Sequence, residues 1–230
     1  WYSDLRAQRG LIMSLADLLL SAPAWDDVYP TRGTAWQGGF AAGRINIDGV
    51  VYGLVVSPRA TGDLVGYAMQ DDTVYTFTGN TSVYDGKLIQ ANMVAYGIAK
   101  FPAQQAVMAL TIGGFNDWYI PSKLEMEIIY RELKPTTTSN VTTSGTNAYA
   151  VPSPTTNYTT TIPSRTSVLD FRSTGTNYLT DDYYYTATQG PSGPEWAHAK
   201  RFTTGADSQD NIWWDYSVRA IRRVPVAYTV

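Results

Sequence analysis

The chain has 230 residues, an apolar content of 44%, a net charge of −3 and a sequence pI of about 5.1. This slightly acidic balance argues against nucleic-acid binding, which normally requires a basic face. The chain has no cysteine, which excludes disulfides, thiolate metal sites and a cysteine nucleophile. No apolar run reaches the roughly 18 residues that a membrane span needs, so we expect no membrane insertion.

Residues 4–21 carry apolar side chains at helical spacing, with Asp4 as a candidate N-cap and Pro23 as a stop signal. We therefore predict an N-terminal unit over residues 1–35, made of a helix and a linker. The helix either packs on its own domain or serves as an attachment or oligomer contact. Trp1 in place of an initiator Met indicates a processed chain or missing leading residues. The apolar stripe consists of Leu5, Leu11, Ile12, Leu15, Leu18 and Leu19.

The second predicted unit, residues 36–230, begins with β structure. Residues 25–43 are rich in Trp, Gly and Pro and are predicted to be irregular. Residues 44–57 are rich in Val and Ile on both sides of Asp48-Gly49, which is a typical hairpin turn. Residues 64–77 predict a second pair of strands around Asp71-Asp72.

Helical periodicity returns after residue 87. A helix is predicted over residues 88–101, followed by a short Ala-rich segment at 103–110. Another helix should begin after Ser122 and end before Pro135, because Ser122 and Glu125 have the spacing of a capping box. The first helix is expected to bury Leu88, Met93, Val94, Tyr96, Gly97 and Ile98, and the second Leu124, Ile128, Ile129 and Leu133. We expect solvated side chains at Glu125, Glu127 and Glu132.

The remainder of the chain is predicted to consist of loops and short strands. Residues 136–166 are rich in Thr, with low charge and several prolines. They form either a structural insertion, a flexible loop or a contact loop that carries binding. Further strands are predicted at residues 168–171, 183–187, 198–202 and 218–224.

Two segments resemble one known family. Residues 113–122 (GGFNDWYIPS) join a glycine turn and an aromatic pair to a helix start, and residues 217–224 (SVRAIRRV) form a closing strand. Residues 184–188 (YYTAT) and 198–202 (HAKRF) are looser matches. Over roughly residues 84–224 the chain resembles the C-type-lectin-like domains of bacterial adhesins and of phage tail-fibre tips and tropism determinants.

This resemblance implies an α+β, C-type-lectin-like fold, in which two helices pack on twisted antiparallel sheets with long loops. It implies host recognition at a phage tail-fibre tip, through a bacterial surface glycan or an outer-membrane protein, without catalysis. It also implies a homotrimer that contacts other virion tail proteins. The absence of cysteine is typical of folding in the bacterial cytoplasm, before release in the virion. A structural virion protein and a polysaccharide-degrading enzyme remain alternatives.

The sequence offers little for catalysis or metal binding. His198 is the only histidine, and no Ser stands in a nucleophile-elbow motif, so we expect a structural or surface histidine. One His without Cys makes zinc improbable. No cofactor is predicted, although calcium stays possible because several Asp residues supply oxygen atoms without an EF-hand spacing. These are Asp26, Asp27, Asp71, Asp72, Asp181, Asp182 and the Asp residues of 207–215.

The strongest candidate for binding is the acidic and aromatic segment 207–216, directly before the closing strand. Its rings can stack on sugars or enter receptor pockets, while its Asp and Asn side chains bind hydroxyl groups. Alternation along a strand predicts that only one of Trp213 and Trp214 is exposed, unless both belong to the core. Arg219, Arg222 and Arg223 are expected to pair with Asp or to cap carbonyls. The predicted ligand-binding residues are Asp207, Gln209, Asp210, Asn211, Trp213, Trp214, Asp215, Tyr216, Tyr183 and Trp196.

Overall fold

The computed structural model describes residues 29–70, 78–180 and 183–226. The predicted helix at 4–21 lies outside them. Within these ranges the protein is α+β, with two sheets and short helices. The helices are α1 (Arg59–Gly62), α2 (Gly86–Gly97), α3 (Pro102–Met108) and α4 (Lys123–Leu133). The strands are β1 (Ala35–Trp36), β2 (Gly39–Ile47), β3 (Val50–Val56), β4 (Asp63–Tyr67), β5 (Tyr183–Gln189), β6 (Trp196–Arg201), β7 (Asp207–Asn211), β8 (Tyr216–Arg219) and β9 (Ile221–Pro225).

The first sheet has the order β1-β2-β3-β9 and is antiparallel. Its β2–β3 hairpin turns at Asp48-Gly49, which confirms the predicted turn. Both residues have positive φ, as the favoured two-residue hairpin turns require. The prediction of irregular structure up to residue 43 was wrong. Phe40 pairs with Val56 and extends β2 towards the N-terminus, because long-range strand pairing outweighs the local preference of its glycines.

The second sheet has the order β4-β8-β5-β6-β7. It departs from the antiparallel expectation at one pair, since β5 and β8 run parallel with Tyr184 beside Ser217. β4 confirms the first strand of the pair predicted at 64–77, whereas residues 71–77 lie outside the described ranges.

The closing segment is divided between the two sheets. The single strand predicted at 218–224 is two strands, β8 and β9, separated at Ala220. β8 pairs with β4 and β5, and β9 pairs with β3. Buried Ala220 accepts a hydrogen bond from the Ser57 N–H and donates one to the Gly62 carbonyl, so both of its backbone groups remain paired at the crossing.

The helices confirm the predicted boundaries more closely than the predicted faces. α4 begins with the capping box of Ser122 and Glu125. α2 begins at the N-cap Asp85 and buries Ile89 and Met93. Of the six residues expected to be buried here, only Met93 is buried, because the core contacts the face of Ile89 and Met93. Leu88, Val94 and Tyr96 are exposed and Gly97 is half-buried, as is Ile98, which lies after α2 in the 3-10 helix Ile98–Lys100.

The Thr-rich segment 136–166, which lies wholly within the described ranges, contains neither a helix nor a strand. It is nevertheless packed around buried Asn140. The Asn140 amide oxygen accepts hydrogen bonds from the Tyr130 hydroxyl and the Lys134 ammonium, each at 2.6 Å. Its amide nitrogen donates to two carbonyls of the same segment. The strand predicted at 168–171 was wrong, since Leu169–Phe171 is a 3-10 helix.

Two apolar clusters form the core. One lies between the first sheet and α4 and includes Leu54, Tyr130 and Phe202. The other includes Val55 and Trp118 and extends to β5, β6 and β8. Because consecutive residues of β3 enter different clusters, this strand is buried on both faces.

Candidate functional site

The connection between β7 and β8 is a short turn, residues 212–215, anchored by its first residue. Ile212 is buried, and its carbonyl accepts hydrogen bonds from the backbone N–H groups of Met69, at 2.8 Å, and Gln70, at 3.2 Å. The Trp214 N–H donates to the Asn211 carbonyl at 3.0 Å, which closes the turn. These backbone bonds hold the turn against the end of β4.

Both tryptophans of this turn face the solvent. Trp213 is 43% exposed and Trp214 is 47% exposed. The expectation that only one would be exposed was wrong, as was the alternative that both belong to the core. Strand alternation does not apply, because residues 212–215 form a turn and Ile212 takes the buried position.

Tyrosine rings of β5 and β8 pack next to the turn. Tyr216 stacks on Tyr183 with 6.0 Å between centroids, lies 4.7 Å from Tyr185, and meets Trp214 edge-on at 6.3 Å. The hydroxyl of buried Tyr185 donates a hydrogen bond to the Asn211 carbonyl. Aromatic pairs of this geometry contribute about 0.5–1.5 kcal/mol each beyond burial. The exposed Trp214 ring is therefore connected to the core through Tyr216.

Acidic side chains lie beside these rings of Tyr183, Tyr185, Trp214 and Tyr216, which we call the aromatic group. Asp210 accepts a hydrogen bond from the Ser208 hydroxyl, and Asp215 is exposed. Burial raises the pKa of the Tyr185 hydroxyl, and the nearby Tyr216, Asp210 and Asp215 raise it further. The surface thus combines apolar ring faces with carboxylate acceptors.

The predicted site residues on β5, β6, β7 and β8 lie on two opposite faces of the second sheet. Tyr183, Asp210 and Tyr216 share the face of the aromatic group, because Asp210 lies opposite Ala197 and Tyr185 lies opposite Ala199 on β6. The other face, which β6 turns towards α4, carries Trp196, Asp207, Gln209 and Asn211.

Two of the residues on the α4 side already have protein partners. The Asp207 carboxylate lies 2.9 Å from the Lys200 ammonium and 3.8 Å from that of Lys123. The Gln209 amide oxygen accepts a hydrogen bond from the Ser192 hydroxyl at 3.0 Å. Asp207 and Gln209 therefore hold strands and loops together where the sequence predicted ligand contacts.

A buried ionic cluster lies between β6 and α4, and the sequence did not predict it. Lys200 forms an ion pair with Glu127 of α4, and both side chains are buried. The predicted solvation of Glu127 was therefore wrong, and so was that of Glu125, whose carboxylate accepts hydrogen bonds from Tyr119, Ser122 and Gly86. Burial raises the pKa of Glu125. The burial of Glu127 is matched by its ion pair with Lys200 of β6, a partner that helix periodicity does not reveal.

His198 belongs to the same region. It is buried on β6, and its Nδ1 has no hydrogen-bond partner within the described residues. Burial lowers the pKa of His198 to about 4, and the neighbouring Lys123 also lowers it, whereas Asp207 acts in the opposite direction. The histidine is therefore neutral at physiological pH.

The arginines of the closing segment pair as predicted. Arg219 binds Asp63, Arg222 binds Asp117 and Arg223 binds Asp85, with shortest distances of 2.9, 2.6 and 2.8 Å. Opposite charge and hydrogen bonds from Arg222 and Lys87 lower the pKa of Asp117 and outweigh the effect of its burial. These arginines are structural and form no free basic patch.

Residues 29–70, 78–180 and 183–226 contain no group of three or more His, Cys, Asp or Glu side chains that could hold a metal ion. The pairs Asp26-Asp27, Asp71-Asp72 and Asp181-Asp182 lie outside these ranges. None of the helices in the described residues has the length and apolarity needed to cross a membrane.

A separate groove of about 740 Å³ lies between the β2–β3 turn and residues 148–153, and none of the predicted site residues lines it. Comparisons with known proteins add no further assignment: a scan of the chain against models of protein families gave no match, and neither did a search of curated proteins.

Proposed function

We propose that this chain is the receptor-binding protein of a phage tail-fibre tip, with a C-type-lectin-like fold. It binds a glycan or protein of the bacterial surface without catalysis. The observation that carries the proposal is the pair of exposed tryptophans on an anchored turn, Trp213 and Trp214.

Large exposed rings on a fixed turn suit recognition. Trp and Tyr supply a broad contact area at low conformational-entropy cost, and they dominate binding energy at many interfaces. Each tryptophan leaves nearly half of its surface in water, and apolar surface removed from water stabilises by about 25 cal/mol per Å². A partner that covers the rings recovers this free energy, and Asp210 and Asp215 can accept hydrogen bonds from its hydroxyl groups.

The C-type-lectin-like fold is supported by how the two most specific segments meet. Tyr119, before α4, and Ile221, in β9, exchange two backbone hydrogen bonds of 2.8 and 2.9 Å. The Arg222 guanidinium of the closing segment binds Asp117 of the helix entry. The motifs of the resemblance therefore belong to one packed unit.

A structural role in the virion is the second candidate, and the outer face of α2 favours it. Leu88 and Val94 are 49% and 46% exposed, and Ala91 and Ala95 lie beside them. Residues 88–99 contain no charged side chain. A homotrimer or a contact with other tail proteins would cover this face, which belongs to a different element from the tryptophan turn.

The proposal is tested by adsorption of the labelled full chain to a panel of bacterial strains, with and without a chelator. We expect strain-selective binding that a double Trp213→Ala, Trp214→Ala variant loses. Loss of binding with chelator would indicate a calcium-dependent site. Absence of binding to every strain by a folded, assembled chain would reject the receptor-binding role and favour the structural one.

A further inference from the structure

A small pocket with both polar and apolar walls lies at the start of β4, away from the tryptophan turn. Its volume is about 290 Å³, close to the lower end of the roughly 300–1,000 Å³ of small-molecule sites. Helix α1, strand β4 and the loop before β5 form its walls. It is lined by Arg59, Ala60, Asp63, Val65, Thr176 and Thr180.

Asp63 is the most unusual group of this pocket. Its side chain is only 6% exposed. Its Oδ2 atom accepts hydrogen bonds from Arg219 Nη1 at 2.9 Å and from the Tyr184 hydroxyl at 3.1 Å. Its Oδ1 atom is buried without a hydrogen-bond partner in the described residues. A buried acceptor left unpaired is energetically costly, so a ligand donor at Oδ1 would be favourable.

The other lining groups complement this acceptor. The Arg59 side chain is 37% exposed, and its guanidinium lies 4.5 Å from the centroid of the Tyr178 ring. Thr176 and Thr180 contribute hydroxyl groups, while Ala60 and Val65 contribute apolar surface. A ligand that suits these walls carries both hydrogen-bond donors and acceptors around a compact, partly apolar body.

β4 connects this pocket to the aromatic surface. Asp63 pairs with Arg219 at one end of β4, and Tyr67 pairs with Tyr216 at the other. At a rise of about 3.3 Å per residue, the four steps between Asp63 and Tyr67 span roughly 13 Å. β4 is also an edge strand of its sheet, with Val65 71% exposed between the two ends.

We infer that the Asp63 pocket is a second subsite for the same ligand, and that it takes one sugar ring of a polyhydroxylated glycan. This inference rests on the proposed function. A ring hydroxyl donates a hydrogen bond to Asp63 Oδ1, and the Arg59 guanidinium donates to ring oxygens. The chain of sugars runs along β4 to the tryptophan turn, where a further ring stacks on Trp214 or Trp213.

The test is saturation-transfer NMR of the full chain with single monosaccharides: glucose, galactose, rhamnose and N-acetylglucosamine. We expect transfer to at least one of them. Ala60→Phe fills the pocket and should abolish the transfer in a chain that also carries Trp213→Ala and Trp214→Ala, which remove the stacking rings of the turn. Thr61→Phe places the same ring on the same helix, at an exposed position that does not line the pocket, and should retain it. Asp63→Asn, with its fold checked by circular dichroism, should weaken the transfer.

Absence of transfer from the wild-type chain to any of the four sugars would overturn the inference, and so would transfer that Ala60→Phe leaves unchanged. The same variants are compared in adsorption to bacteria. Wild-type adsorption that Ala60→Phe does not reduce would reject the subsite and leave the receptor-binding role intact. Transfer lost in Ala60→Phe, without adsorption to any strain, would support the sugar subsite and reject the receptor-binding role.

Discussion

Arg219 and Asp63 form a buried ion pair between neighbouring strands of the second sheet, β8 and β4. Arg219 Nη1 lies 2.9 Å from Asp63 Oδ2, and the arginine side chain has no exposed surface. Its Nε donates to the Ser57 carbonyl, directly after β3, and its Nη2 donates to the Asn177 carbonyl. One guanidinium therefore connects β8 with β4, with the end of β3 and with the loop that precedes β5.

Removal of this guanidinium should strongly destabilise the protein. Arg219→Ala leaves the Asp63 charge buried, and breaking a buried pair in this way costs about 3–5 kcal/mol. The matched control is Arg32→Ala, because Arg32 pairs with Glu132 at the surface, with the two side chains 43% and 29% exposed. Such pairs contribute about 0–1 kcal/mol. Urea unfolding of both variants measures the difference, and equal losses would contradict the structural role of Arg219.

His198 predicts a pH dependence of stability. Its pKa is about 4 in the folded protein against a reference value of 6.5. Between these values the unfolded state binds more protons, so the free energy of unfolding should rise with pH from about 4 to 6.5. This one group contributes at most about 1.4 kcal/mol per pH unit.

The variant His198→Gln isolates this contribution from carboxyl groups that titrate in the same range, such as Glu125, whose pKa is raised. Subtracting the variant's stability curve from that of the wild type should leave a difference that grows from pH 4 to 6.5 and is constant above it. A flat difference over the whole range would show that His198 titrates normally.

Alanine substitution of two glycines should separate the cost of backbone strain from the cost of steric overlap. Gly49 in the β2–β3 turn has a φ of +87° and open space around its Cα, so Gly49→Ala should cost about 1–2 kcal/mol for the left-handed backbone alone. Gly43 has a φ of +111°, and a Cβ atom there would overlap the Ile128 side chain of α4. Gly43→Ala should therefore cost more. Thermal unfolding of the two variants tests the order, and a larger loss for Gly49→Ala would contradict it.

The tryptophan turn predicts separable effects on binding. Because both rings are exposed, Trp213→Ala and Trp214→Ala should each weaken adsorption to a sensitive strain. Trp214→Ala also removes the edge contact with Tyr216, so a stability loss of about 0.5–1.5 kcal/mol accompanies it. A residue that anchors an interface contributes about 2 kcal/mol or more, so an affinity loss of at least about thirtyfold is expected for the anchoring ring. Leu169→Ala is the control, since Leu169 is an exposed apolar residue of the 3-10 helix. An equal loss in the control would indicate non-specific hydrophobic adsorption.

The candidate site was only partly predictable. The segment 207–216 could be predicted as a binding surface, because its cluster of Trp, Tyr and Asp residues is apparent from the sequence alone. Tyr185 was not expected to support it, because it approaches from a strand more than twenty residues earlier. Asp63 and Arg59 were not predicted either, because their pocket arises where α1, β4 and the loop before β5 meet.

Local patterns in the sequence determined the elements whose interactions lie within a few residues. The Asp48-Gly49 turn and the Ser122–Glu125 capping box are examples, because backbone geometry and side-chain reach decide them without the rest of the fold. Tertiary structure decided the rest. The division of the closing segment at Ala220, the parallel pairing of β5 with β8 and the burial of Glu127 against Lys200 depend on partners far along the chain. No local pattern records such partners, because hydrogen bonds and burial between distant segments are settled only when the sheets and α4 pack together.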